Sequence, residues 1–150
     1  MGDFMNISTK GKYAIASMLY IAKKRNTDQS ISLMTIAENL NISKIYLEQI
    51  FSSLKKANLV DSIKGPNGGY QLRKTPNNIT LFEILKATES NLSNKKILIE
   101  RKEIIEIIIT NHILDKIDES ITHILSNITL ENLLQNIDDY NNNVSFMYYI

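Results

Sequence analysis

The chain has 150 residues, 43% hydrophobic and 22% charged, with a net charge of +1, which suits one soluble domain with an accessory segment or two small halves. It has no cysteine, and this excludes structural disulfides, thiolate nucleophiles and any metal or cluster held by cysteine sulfur. The charge is unevenly spread: residues 1–89 carry 12 Lys/Arg and 7 Asp/Glu, a balance of +5, and residues 90–150 carry 5 and 9, a balance of −4.

A basic front half fits a polyanion as partner, and ordinary surface variation would produce the same split. The start lacks a basic stretch leading into an apolar run, so no secretory signal is expected, and Asn6 stands where a myristoylation site wants Ser or Thr. Glu100, Arg101, Lys102, Glu103 and Glu106 interrupt the most apolar region. No membrane span is therefore expected, and the cytoplasm is the expected location.

In chain order, Thr9 is expected to cap a first helix running to about Arg25, with Tyr13, Ala14, Met18, Ile21 and Ala22 at helical spacing. Residues 26–30 read as a loop. Ser32 then opens a short helix over 33–40 whose Ile36, Ala37 and Leu40 form a small apolar face. After a brief turn at Asn41 and Ile42, Ser43 caps a third helix through about Ala57. Two helices joined by so short a turn match a helix-turn-helix.

At 100° per residue, the third helix has two distinct sides. Leu47, Ile50, Phe51 and Leu54 share one and should be buried. Ile45, Glu48, Gln49, Ser52 and Lys56 share the other, with Lys44 and Lys55 at one border and Tyr46 at the opposite one. An outward isoleucine beside Glu48 and Gln49 suits a major groove, where Gln can pair with adenine, Glu can accept from the cytosine amino group and an apolar side chain can meet a thymine methyl. The same residues also suit a plain solvated helix surface.

The stretch VDSIKGPNGGYQLRK at 60–74 holds three of the five glycines and one of the two prolines. Glycine reaches φ > 0 without a steric penalty and proline presets a turn, so strands over 60–63 and 70–73 are expected to meet in a tight hairpin. A hairpin directly after the second helix of a helix-turn-helix makes a wing. Lys64 and Asn67 near its tip, and Arg73 and Lys74 at its exit, suit phosphate or minor-groove contact. A nucleotide-binding phosphate loop is not expected, because Gly69 is followed by Tyr-Gln-Leu instead of Lys-Ser/Thr opening a helix.

Thr80 and Glu83 form a capping box for a fourth helix to about Glu89. Residues 91–96 read as a linker. One long helical pattern follows from about Ile97 to Asn127, with a break expected near Thr110 and Asn111. In its second part Ile113, Ile117, Ile121, Ile124 and Ile128 form an apolar stripe flanked by Leu114 and Leu125. Such a stripe is best used against a second copy of the chain, the alternative being packing within its own subunit. Thr129 caps a last short helix to about Asn136, and residues 140–150 are polar, then aromatic. His112 and His123 fall on the polar side of the long helix. Glu119 and His123 have metal-pair spacing, but no second histidine joins them locally and the chain has no cysteine, so a surface role is expected and no metal. No Ser/His/Asp elbow is present, and no enzyme activity is expected.

The motifs ISTKGKYA at 7–14, ISKIYLEQ at 42–49, KGPNGGY at 64–70 and ITLENL at 128–133 together resemble the Rrf-type bacterial transcription regulators, over roughly residues 6–136. The resemblance implies a mainly α fold with a small β-hairpin wing: a winged helix-turn-helix domain at 1–89 and a dimerisation and signal-input region at 90–150. It implies Met5 as the natural start. It also implies a cytoplasmic homodimer that represses transcription from a pseudo-palindromic operator on double-stranded DNA, with a partner protein or small-molecule effector as the signal. Ser8, Thr9 and Lys10 match the phosphate-facing start of the first helix, and Ser43, Tyr46, Glu48 and Gln49 match the contact positions of the recognition helix. Lys44, Ile45 and Lys56 share that outer face, and Lys64, Gly65, Pro66, Asn67, Gly68 and Gly69 match the wing. Ile113, Leu114, Ile117, Ile121, Ile124, Leu125 and Ile128 are the expected dimer contacts. Two departures stand out. Lys64 replaces an arginine common in the family. The interval that carries three cysteines in cluster-binding members has none here, so no iron–sulfur cofactor is expected, and the family's repressor of cysteine metabolism is the nearer model. The alternative function is an interaction module that keeps the fold and has lost DNA binding.

Overall fold

In the computed structural model, residues 7–24, 29–90, 92 and 103–149 are described. Helix α1 spans Thr9–Lys23, α2 Leu33–Leu40 and α3 Lys44–Lys56. A hairpin of β1, Val60–Ile63, and β2, Gly69–Leu72, follows. After a 3-10 turn at Pro76–Asn78 come α4, Leu81–Thr88, and α5, Ile104–Ile109. A π turn at Thr110–Leu114 leads into α6, Asp115–Ser126, and α7 is Leu130–Tyr148. The fold is mostly helical with one two-stranded antiparallel hairpin, in the register Val60 with Leu72 through Ile63 with Gly69.

Local chemistry explains most of the boundaries. Ser32 and Ser43 accept from the N–H groups of Thr35 and Tyr46, each at 3.1 Å, and so cap α2 and α3. Asn41 ends α2 in the left-handed conformation at φ 52°, which asparagine tolerates better than most residues. The α4 capping box is complete: Thr80 accepts from the Glu83 N–H at 3.2 Å, and Glu83 accepts from the Thr80 N–H at 3.0 Å.

Several expectations need correction. Ser8, not Thr9, caps α1, accepting from the Gly11 N–H at 3.1 Å. Either hydroxyl could serve by local pattern, but Ser8 is the one held extended by a distant carboxylate. The first helix ends at Lys23, short of Arg25. The second strand begins at Gly69, because that residue pairs with Ile63. No break occurs at Thr110 and Asn111. The π turn takes up the misfit there, and the backbone stays helical over 104–126. The expected start of that helix at Ile97, the linker (apart from Leu92) and residues 26–28 of the first loop lie outside the described residues. The last helix does not stop at Asn136. It runs 19 residues to Tyr148, opened by a Thr129–Asn132 capping box, and so includes most of the stretch with no expected structure.

The core joins both ends of the chain. Met18 and Ile21 of α1, Ile36 of α2 and Leu47, Ile50, Phe51 and Leu54 of α3 are buried with Ile84 and Leu85 of α4, and with Leu125 and Leu130 from the back half. Backbone bonds draw α7 to the start of α4: Leu81 N–H donates to the Ile128 carbonyl at 2.9 Å, and Leu130 N–H to the Ile79 carbonyl at 3.0 Å. The front half of the chain therefore shares its core with Leu125 and Leu130, more than 50 residues beyond the hairpin, rather than resting on its own helices alone.

Candidate nucleic-acid interface

Helix α3 turns its four apolar residues Leu47, Ile50, Phe51 and Leu54 into the core. This fixes its rotation, so Lys44, Ile45, Glu48, Gln49, Ser52, Lys55 and Lys56 are left exposed. Ile45 is 72% exposed, a costly position for so large an apolar side chain unless something covers it. Lys44 and Glu48 approach to 3.8 Å, with both side chains about half exposed, and a pair of that kind is weak enough to reopen for another partner.

Tyr46 at the border of this face is half-buried. Its ring meets Tyr13 of α1 edge-on, with centroids 5.8 Å apart and planes at 80°. Ser43 is exposed but uses its hydroxyl as acceptor for the cap. Lys55 leaves the face altogether, donating to the Ser62 hydroxyl at 2.6 Å and so fastening the end of α3 to β1.

Two devices hold the wing against the rest of the fold. The rings of Phe51 and Tyr70 meet with centroids 4.6 Å apart and planes tilted at 52°, which ties β2 to α3. Ile31, just before α2, exchanges both backbone hydrogen bonds with Tyr70 at 2.9 and 2.8 Å and so forms a third rung beside β2. That rung explains Gly69. A Cβ there would lie 2.3 Å from the Ile31 carbonyl group, so the residue serves the seating of the wing rather than its tip. Gly65 takes φ 114° and makes the turn itself. Lys64, Gly65, Pro66 and Asn67 are exposed, and Gly68 and Gly69 are partly buried.

The cations at the wing exit are engaged elsewhere. Arg73 donates to the Asn58 side chain at 2.5 Å, and Lys74 bonds Glu83 at 2.7 Å. Burial pushes the Glu83 carboxyl up, but the bonds from Lys74 and from the Thr80 N–H, with the Lys74 charge, outweigh it and hold the group below its ordinary value. At the start of α1, Thr9 is exposed and Lys10 half-buried, while Ser8 is bound by both its N–H and its hydroxyl to Glu89. Local pattern could not find that last contact, since the partners are 81 residues apart.

The long-helix stripe divides. Ile113, Ile117 and Ile124 are 50%, 42% and 57% exposed, and Leu114 is partly so, whereas Leu125 is buried and Ile121 and Ile128 pack on the core. Five more isoleucines of α5, from Ile104 to Ile109, continue the exposed apolar surface. His112 and His123 are exposed, and the described residues contain no cluster of three His, Cys, Asp or Glu that could hold a metal. Among the described residues, no helix is long and apolar enough to cross a membrane.

Comparison with known proteins gives one consistent answer. The model of the Rrf2 family, described as an iron-dependent transcriptional regulator, matches residues 7–136. The transcriptional regulator CymR of Bacillus subtilis is 34% identical over 146 residues, covering 97% of this chain and all of that one. Its solved structure, described as that of the global cysteine regulator, superposes with a TM-score of 0.72 over 89% of this chain and 98% of its own. The solved IscR of T. potens is 30% identical, with a TM-score of 0.73 over 91% of each chain. The iron in the family description finds no thiolate in this chain. The residues present therefore do not fit a cysteine-held cluster.

Proposed function

This chain belongs to the Rrf2 family of transcriptional regulators, and on that premise we propose that it is a homodimeric repressor which binds a pseudo-palindromic operator on double-stranded DNA. The observation that carries the reading is the outer face of α3, where exposed Ile45 lies among Glu48, Gln49 and Lys44 on a helix whose rotation the core dictates. That combination of a methyl-seeking side chain and two base-edge partners has its use in a major groove. Residues 1–89 would supply the DNA-binding surface, with Lys10 and the wing at Lys64 and Asn67 on the backbone or minor groove.

Residues 90–150 would supply the dimer and the signal input. Ile113, Ile117 and Ile124, with the isoleucines of α5, offer the apolar surface that a second copy would cover. The protein would work in the cytoplasm as a binding protein, not an enzyme, and without an iron–sulfur cluster. Its signal would come from a partner protein or a small-molecule effector.

Selection of bound duplexes from a random pool tests this reading. Two half-sites should emerge, centred about 34–36 Å apart or a multiple of that. A single asymmetric site would overturn the dimer on a palindrome. A second reading, an interaction module that has lost DNA binding, draws support from the cations already spent inside the fold: Lys55 on Ser62, Arg73 on Asn58 and Lys74 on Glu83.

A further inference from the structure

We propose that Ser30 is a positioning residue for the wing tip. Its hydroxyl donates to the Asn67 carbonyl at 2.8 Å, across 37 residues of sequence. The backbone rung between Ile31 and Tyr70 stops at the base of the hairpin, and β2 begins only at Gly69. Beyond that point Gly68 N–H donates to the Gly65 carbonyl at 2.9 Å, a bond internal to the tip. The Ser30 hydroxyl thus carries a contact from the body of the protein to the tip itself.

The tip needs such a contact for two reasons. It turns through Gly65, at φ 114°, and Gly68, and glycine restricts the backbone less than any other residue. A groove of about 700 Å³ also lies beside it, walled by Tyr20, Thr35, Ile63 and Pro66 among others, and this leaves room for an unheld tip to fold inward. Ser30 acts as a strut over that space. By fixing the main chain at Asn67 it sets where Lys64 and Asn67 meet the duplex, and it does so from the segment that leads directly into α2. Wing and helix-turn-helix are thereby held in one frame.

This inference rests on the DNA-binding reading, and its test separates the two. The full chain and its Ser30→Ala and Ser30→Thr variants are titrated with the selected operator duplex at several salt concentrations, with hydroxyl-radical footprints and thermal melts alongside. Ser30→Ala should weaken operator binding roughly three- to tenfold, the worth of one hydrogen bond. It should also lower the salt slope by about one and lose protection only at the nucleotides under the wing, while the thermal melt stays cooperative. Ser30→Thr, which keeps a hydroxyl, should restore all three. Wild-type binding with an unaltered Ser30→Ala footprint would overturn the role of Ser30 and leave the DNA reading standing. Failure of Ser30→Thr to rescue would also overturn it. No binding by the wild type would remove the DNA reading and this inference together.

Discussion

The carboxylate of Glu89, at the end of α4, accepts hydrogen bonds from both the main-chain N–H and the hydroxyl of Ser8, at 3.0 and 2.6 Å. It places a negative charge at the N-terminus of α1, where the helix dipole favours it. It also fastens the first helix of the domain to the last residue before the connection that leads to the long helix. Glu89→Ala should therefore cost roughly 1.5–3 kcal/mol of stability, the range for hydrogen bonds to a charged group. Ser8→Ala and Glu89→Ala should be less than additive in a double-mutant cycle followed by thermal melting. Fully additive losses would mean that the two residues act apart.

Acid should undo the Lys74–Glu83–Thr80 junction. Glu83 titrates below its ordinary 4.5 in the folded chain, so its contribution is fully present above that value and is lost as pH falls through the lower folded one. Glu83→Gln and Lys74→Met should each flatten the dependence of melting temperature on pH below 4.5, and leave its shape near neutrality unchanged.

Gln49 and Lys10 should fail in different ways. Replacing Gln49 with Ala should relax base choice at one position per half-site, at a cost of roughly 1–3 kcal/mol in discrimination. Lys10→Ala should weaken all sequences alike and reduce the salt slope by about one. Competition binding against a panel of single-base operator variants separates the two. Uniform loss from both would show that the roles are misassigned.

The exposed part of the long-helix stripe should govern assembly. Ile117→Asp introduces a charge where a second copy would bury an apolar side chain, so sedimentation should shift toward monomer while the melt stays cooperative. Leu125→Asp should instead unfold the subunit, because Leu125 lies in its own core. A variant at Ile117 that stays dimeric would place the interface elsewhere.

What was legible in the sequence depended on how local the signal was. Ser32 and Asn41 bracket α2, and the four apolar positions of α3 set its rotation, so both helices and the outer face could be read directly. The wing was legible because turn-formers are scarce everywhere else. The length of α7 was not, since Asp138, Asp139 and three consecutive asparagines are poor helix formers, and the helix runs through them. The π turn at Thr110 was legible as a disturbance but not as its kind. Ser30 on Asn67 and Ser8 on Glu89 are single contacts across 37 and 81 residues, which no periodicity encodes. The division of the isoleucine stripe also depended on tertiary packing, because Leu125 and Ile124 differ only in which side of one turn meets the core.

The central claim is that the face of α3, with the wing, binds duplex DNA, and titration of a selected operator duplex at two salt concentrations tests it most directly. Binding should be saturable and fall steeply as salt rises, because cations of the protein displace counterions from phosphates. Absence of saturable binding at both concentrations would contradict it and leave the interaction-module reading in its place.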